Sequence, residues 1–120
     1  MLRNEVIQAL LKEHCVIFPK ADIKSQLLKL ADEIDEMHAS KGCLNYLEEK
    51  ADCVICMIGL GRWCPRLSKE LIRYFFAFYC KNAMERRILR KAIFKKWEKN
   101  KKRNWIMING IYQHKEKEVL

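Results

Sequence analysis

The chain contains few residues that interrupt helices, with two prolines and four glycines among its 120 residues. It also lacks a long apolar run, since the longest, around residues 75–80, is far shorter than the roughly 20 residues that a membrane-spanning helix needs. Internal repeats and low-complexity linkers are absent as well. These absences exclude a membrane-spanning protein and give no reason to divide the chain, so we expect one domain with long helices.

A secretory signal is also missing. The opening residues, MLRNEVIQALLKEH, include acidic side chains and no small-residue cleavage site after an apolar stretch. We therefore predict a cytoplasmic protein whose six cysteines are free thiols. Cys53 and Cys56 have the spacing of a zinc or redox motif, but no second pair accompanies them, so we interpret both as thiols of an amphipathic helix.

Basic residues are concentrated at one end of the sequence. The formal net charge is +9, yet residues 1–80 carry 11 basic and 11 acidic side chains, whereas residues 81–120 carry 13 basic and 4 acidic ones. An excess confined to the last third indicates an anionic partner. Nucleic acid and the phosphates of a small ligand both fit this description.

Two neighbouring segments have the apolar periodicity of amphipathic helices. Apolar residues recur at steps of three and four over residues 21–38 and again over residues 44–60, and the intervening Gly42 is a boundary signal. We predict two helices joined by a short loop. This helical hairpin, residues 21–60, is the first half of the predicted domain.

The second half, residues 66–120, is predicted to contain a core helix and a basic tail. Ser68 is a favoured N-cap residue, and the helix that follows is predicted to continue to about residue 99. The dipeptide Asn109-Gly110 is a turn signal between two short apolar runs, which predicts a small hairpin. With a shorter N-terminal helix, these elements predict an all-α fold, a helical bundle completed by oligomerisation.

Four carboxylates fall at matching positions of the two hairpin helices. Glu33 and Glu36 lie three residues apart on the first helix, as do Glu49 and Asp52 on the second. Antiparallel packing would bring the pairs together, where they would repel one another unless a cation neutralised them. Oxygen ligands suit Mg²⁺, with Mn²⁺ as an alternative. Acidic pairs at this spacing are also common on solvated helix faces, so spacing alone leaves both interpretations open.

A basic face follows in the tail. Lys96, Asn100 and Arg103 are four and three residues apart, so on a helix they share one face and could hold a polyphosphate. Trp105, just beyond, could stack on a base. The same run also fits a solvated or nucleic-acid-facing surface.

Three further polar residues are candidates for contact with a substrate. Gln26 and Lys29 precede Glu33 by seven and four residues and so share its helix face. An ordinary role on the helix surface is an equally good interpretation of both. Among the three isolated histidines, only His114 is retained as a candidate on the substrate side.

These motifs carry a family resemblance. The stretch KLADEIDEM (29–37), a twelve-residue spacer between Glu36 and Glu49, and EKAD (49–52) resemble the E-x-x-E, spacer, E-x-x-D signature of MazG-like all-α nucleoside triphosphate pyrophosphohydrolases. KWEKNKKRNW (96–105) resembles the K-x-x-x-N-x-x-R-x-W element of short phage and bacterial members, and Asn109-Gly110 with His114 resembles their tail. The resemblance departs at Asp32, where many relatives have Glu, and residues 62–95 match no known element.

The resemblance implies a Mg²⁺-dependent enzyme that hydrolyses nucleoside or deoxynucleoside triphosphates between the α- and β-phosphates, acting as a homodimer or homotetramer. It also implies a set of metal-binding and catalytic residues: Glu33, Glu36, Glu49 and Asp52, with Glu36 or Glu49 as the general base. Two alternatives remain. One is a basic helical nucleic-acid-binding protein that uses residues 86–103, and the other is a non-catalytic family member that binds nucleotides.

Overall fold

Five α-helices and a two-stranded hairpin make up the protein in the computed structural model, which describes residues 2–114. The elements in chain order are α1 (Asn4–Ile17), α2 (Ile23–Ala39), α3 (Cys43–Gly59), α4 (Pro65–Tyr79), α5 (Ala83–Lys101), β1 (Trp105–Ile108) and β2 (Ile111–His114), with a 3₁₀ turn (Leu60–Arg62) between α3 and α4. The predicted helical fold class is confirmed. No helix in the described part of the chain has the length and apolar character needed to cross a membrane.

The predicted helical hairpin is confirmed as α2 and α3, which pack against each other. A capping box starts α2: the Asp22 side chain accepts a hydrogen bond from the Ser25 backbone N–H at 2.7 Å, and the Ser25 hydroxyl oxygen accepts one from the Asp22 N–H at 2.9 Å. Gly42, at a φ of +86°, precedes α3. Because α2 and α3 pack together, the acidic pair of α2 (Glu33 and Glu36) and that of α3 (Glu49 and Asp52) lie on neighbouring helices.

The centre of the core is α3. Every residue from Cys53 to Leu60 is buried, and α3 packs against each of the other four helices. Its partners supply the largest fully buried side chains outside α3 and the 3₁₀ turn: Met37, Ile72, Leu89 and Ile93. A helix that is apolar nearly all round over its second half belongs at the middle of a bundle, and this position fixes the orientation of its polar first half.

The predicted single helix from Ser68 to about residue 99 is wrong, because the chain forms two helices there. The first begins earlier, with Pro65 at its first turn, and the Ser68 hydroxyl donates to the Met57 carbonyl at 2.6 Å instead of capping. It ends at Tyr79. Asn82 then caps α5 by accepting a hydrogen bond from the Glu85 N–H at 2.8 Å.

The predicted hairpin is confirmed and slightly longer than expected. Strands β1 and β2 pair antiparallel, with Trp105 opposite His114 and Ile108 opposite Ile111. Asn109 and Gly110 both have positive φ, at 53° and 80°, as a tight two-residue turn requires. The hairpin packs against α2 through β2. The end of the basic segment therefore lies beside the helix that bears the first acidic pair, Glu33 and Glu36.

Candidate functional site

A cavity of about 450 Å³ opens between α2, α3, α5 and the hairpin. Its wall includes all ten residues that the sequence singled out as metal ligands or substrate contacts, namely Gln26, Lys29, Glu33, Glu36, Glu49, Asp52, Lys96, Asn100, Arg103 and Trp105. His114 also lines it. Residues 88 positions apart in the sequence, Gln26 and His114, therefore share one cavity, which is large enough for a small-molecule ligand.

Three of the four predicted ligands form one cluster. Glu33, Glu36 and Glu49 each contribute a carboxylate oxygen, and these oxygens all lie within 4.8 Å of one another. Glu33 and Glu36 are one turn apart on α2, and Glu49 faces them from α3. One oxygen each of Glu33 and Glu49 is buried and has no hydrogen-bond partner among residues 2–114.

The surroundings disfavour the charged form of two of these carboxylates, Glu33 and Glu49. Burial, followed by the negative charge of Asp52, raises the pKa of Glu33 from 4.5 to about 8. The pKa of Glu49 is raised by burial and then by the same Asp52 charge. A hard divalent cation would offset both effects, because it supplies positive charge and takes carboxylate oxygens as its ligands. The donor set therefore fits Mg²⁺ or Mn²⁺.

Asp52 has different neighbours from the three glutamates. Its carboxylate lies 3.3 Å from the Lys96 ammonium and accepts a long hydrogen bond of 3.5 Å from the Asn100 amide. Burial still raises the pKa of Asp52, while Lys96 and Asn100 favour its charged form. The structure thus places Asp52 between the acidic cluster and the basic helix α5, outside the group of three.

The predicted basic residues meet in a connected network, but they do not all share a helix face, because α5 ends at Lys101 and Arg103 lies in the turn that follows. Lys96 is buried, with 7% of its side chain exposed, and its ammonium also lies 3.7 Å from Glu48. Arg103 donates to the Asn100 side-chain oxygen at 3.4 Å, and the Trp105 indole N–H donates to the Asn100 carbonyl at 2.9 Å. Asn100 therefore connects Asp52, Arg103 and Trp105 by hydrogen bonds, and these residues form one wall of the cavity.

Lys29 links the acidic cluster to the hairpin. Its ammonium lies 3.5 Å from the Glu33 carboxylate, donates to the Tyr112 carbonyl at 3.1 Å, and sits 5.2 Å from the centre of the Trp105 ring. Gln26 is buried and donates to the Cys56 carbonyl at 2.9 Å. Both side chains donate to backbone carbonyls of neighbouring elements, Lys29 to β2 and Gln26 to α3. These bonds help to fix how the hairpin and α3 lie against α2, whether or not either residue also contacts a substrate.

His14 is a site residue that sequence reasoning missed. It lies on α1, is 4% exposed and lines the cavity, whereas an isolated histidine is more often at the surface. Burial, then the charges of Arg62 and Lys29, lowers its pKa to about 4. Arg62 can only donate, and its guanidinium lies 3.4 Å from Nδ1, so the neutral ring carries its proton on Nε2. No signal in the sequence around His14 indicates this position.

Aromatic rings close the end of the cavity next to the hairpin. The Phe18 ring centre lies 4.9 Å from that of Trp105 and 5.0 Å from that of Tyr112, and the Trp105 ring meets the His114 ring edge-on at 5.7 Å. The cavity therefore has an acidic end on α2 and α3 and an aromatic end at the hairpin, and Lys29 lies between them.

Comparison with known proteins gives no match: no protein-family model, curated protein or solved structure corresponds to the chain.

Proposed function

We propose that this protein is a Mg²⁺-dependent nucleoside triphosphate pyrophosphohydrolase of the MazG-like type. The observation that carries the proposal is the group of three carboxylates at one end of a cavity that basic side chains border. Two of the three have a buried oxygen without a hydrogen-bond partner in the part of the chain that the structure describes. Isolated acidic clusters are common on protein surfaces, but buried oxygens without partners are rare and call for an explanation. A bound divalent cation would satisfy them.

The position of the cations supports a polyphosphate substrate. Three basic residues of the last third line the cavity: Lys96, Lys99 and Arg103. Lys96 is buried, Arg103 is partly exposed and Lys99 is exposed. Arg offers a planar fork of donors and Lys a point charge, both of which suit phosphate oxygens. The aromatic end has the flat apolar surfaces on which a nucleobase could stack, so the dimensions and chemistry of the cavity fit a nucleotide.

The reaction needs one water and no covalent intermediate. A water oxygen forms a bond to the α-phosphorus, the bond from that phosphorus to the α–β bridging oxygen breaks, and nucleoside monophosphate and pyrophosphate leave. Glu36 or Glu49 accepts the proton that the water loses. Mg²⁺, when bound by Glu33, Glu36 and Glu49, supplies charge neutralisation and polarisation of the phosphate oxygens. Lys96 and Arg103 stabilise the negative charge that builds on the leaving pyrophosphate.

The proposed enzyme is a homodimer or homotetramer. Two large apolar side chains one turn apart on α4 are highly exposed, Phe78 at 78% and Tyr74 at 68%, and Leu44 at the start of α3 is 81% exposed. Large exposed apolar groups that lie near one another are typical of protein interfaces. Sedimentation velocity should show an oligomer for the wild type and a monomer for Tyr74→Glu/Phe78→Glu. A monomeric wild type would refute this part of the proposal.

The enzymatic proposal is tested by pyrophosphate release from canonical and modified NTPs and dNTPs, with and without Mg²⁺. Glu49→Ala should lower release by at least about 100-fold, because loss of supporting residues alone costs metal sites roughly 10- to 100-fold. Asp35→Ala is the matched control, since Asp35 is an exposed acidic residue of α2. Equal activity of both variants, or no release from any nucleotide, would contradict the proposal.

A further inference from the structure

A row of cations runs along the outer face of α5, separate from the cavity except at its last member. Arg87, Lys91, Lys95 and Lys99 are four residues apart, and all four are exposed. Four residues of a helix advance roughly 6 Å, so the row, here called the cation ladder, is about 18 Å long. Lys99 alone among the four lines the cavity.

The ladder is electrostatically unfavourable for the helix that bears it. Like charges four residues apart on a helix repel one another. Within residues 2–114, no ion pair joins a ladder residue to a carboxylate. Glu98, an acidic neighbour on α5, lies 2.8 Å from Lys101 instead. The four positive charges of the ladder are thus free, within the described chain, to pair with negative groups of another molecule.

We propose that the cation ladder binds the phosphate backbone of nucleic acid. The ladder is longer than one triphosphate, and three of its members lie outside the cavity, so a free nucleotide cannot contact all of it. A row of cations at regular intervals is complementary to a row of phosphates. The ring of Phe94, 44% exposed and adjacent to Lys95, offers a surface on which an unpaired base can stack.

A membrane surface fits the ladder less well. A basic helix that lies on a membrane inserts an apolar face between the lipids. The main apolar face of α5 is already used, because Leu89, Ile93 and Trp97 are buried in the core with at most 2% exposure. The exposed apolar residues of α5, Met84, Ile88 and Phe94, do not form a second continuous face, since Phe94 lies on a different side of the helix from the other two. Nucleic acid requires no insertion, so it is the partner that this helix favours.

The test is fluorescence anisotropy of a labelled 20-nucleotide single strand and the matching duplex with the full chain, in EDTA and from about 50 to 200 mM salt. Wild type should bind with a log–log salt slope near −3 for the single strand, since each neutralised phosphate contributes about −0.7. Lys91→Gln/Lys95→Gln should weaken binding at least tenfold and reduce the slope by about half. Circular dichroism checks that α5 still folds, and Lys91→Arg/Lys95→Arg should retain binding.

The control is Lys24→Gln/Lys41→Gln, which removes the same charge from exposed positions outside α5. An equal loss in this control would overturn the proposal, because net charge would then explain the binding. Absence of binding at the lowest salt would also overturn it, as would ladder-dependent binding to phosphatidylserine vesicles without binding to nucleic acid. Glu49→Gln should bind nucleic acid as wild type does, which separates this surface from the proposed enzymatic site.

Discussion

Glu49 and Asp52 lie one helical turn apart on α3 and line the same cavity, yet their partners differ. Glu49 faces Glu33 and Glu36, and one of its oxygens is buried without a hydrogen-bond partner among the described residues 2–114. Asp52 is turned towards α5, where Lys96 neutralises it from 3.3 Å. The two carboxylates of the motif therefore differ in their electrostatic surroundings. Asp52 is paired with the Lys96 ammonium, whereas Glu49 lies among other carboxylates.

This difference indicates that the four acidic residues of the motif are not equivalent. A carboxylate that is paired with an internal cation gains little from a metal ion, whereas a cluster of three carboxylates with one paired ammonium, that of Lys29 on Glu33, keeps an excess of negative charge and gains more. In the proposed enzyme, Glu33, Glu36 and Glu49 would hold Mg²⁺. Asp52 would position Lys96 beside the phosphates and add its charge at longer range.

The largest expected effect is on Mg²⁺ affinity, measured by isothermal titration calorimetry. Glu49→Gln should weaken binding by at least about 100-fold because a ligand is lost, whereas Asp52→Asn should weaken it by about tenfold, the lower end of the range for supporting residues. Both substitutions preserve side-chain size. Equal losses in the two variants would show that Asp52 is a fourth ligand and would abolish the distinction.

A second prediction concerns pH and the metal-free protein. The folded Glu33 carboxyl keeps its proton up to a pKa of about 8, but in the unfolded chain it loses the proton near 4.5. Raising the pH between these values therefore favours unfolding. From pH 6.5 to 8, the free energy of unfolding in EDTA should fall by about 1.5 kcal/mol, because the slope of about 1.36 kcal/mol per pH unit decreases as the pH approaches the folded pKa.

Urea denaturation at the two pH values measures this change, and Glu33→Gln should remove it. The window starts at pH 6.5 because His14, whose folded pKa is about 4, acts in the opposite direction below that pH. Saturating Mg²⁺ should also abolish the loss. A metal-free wild type whose stability does not change between pH 6.5 and 8 would contradict the electrostatic account of the cluster.

The smallest effect is expected at the neutral polar wall of the cavity. A Cβ on Gly59 would lie 2.4 Å from Gln26 Nε2 and 2.5 Å from His14 Nε2, so both buried side chains would have to move. Crowding costs about 1–3 kcal/mol and the gain in helix propensity offsets about 1, which leaves a net loss of about 1 kcal/mol for Gly59→Ala.

Gly61→Ala is the matched control, since its Cβ would meet Leu11 and Ser68 only at ordinary distances of 3.5 Å or more. Thermal denaturation of both variants gives the comparison. If Gly59→Ala were as stable as Gly61→Ala, the packing of His14 and Gln26 against α3 would be looser than the structure shows. Substrate affinity should fall with Gly59→Ala alone, because the displaced side chains line the cavity.

Much of the fold was predictable because its signals are local. The apolar periodicity located α2 and α3 to within two residues at each end, and the Asn109-Gly110 turn located the hairpin. The break between α4 and α5 was missed, although Asn82 followed three residues later by Glu85 is a capping signal. The apolar pattern continues across this break, so it concealed the end of one helix and the start of the next.

The sequence predicted most of the residues that line the candidate site, but it did not predict which of them contact one another. The spacing of three or four residues predicted that Lys96, Asn100 and Arg103 share one helix face, and the structure brings all three to the cavity, although Arg103 lies just beyond the end of α5. His14 escaped detection because its role depends on α1 packing beside Arg62 and Gly59, which are distant in the sequence. No periodic pattern encodes such a contact.

By itself, the sequence determined which residues share a helix face, because the angle between side chains on one helix depends only on their separation along the chain. Only the tertiary structure decided which faces meet. It turned Glu49 towards Glu33 and Asp52 towards Lys96, although both acidic residues belong to the same motif. The physical reason is that the rotation and approach of packed helices are set by the whole core, where α3 must satisfy four neighbouring helices at once.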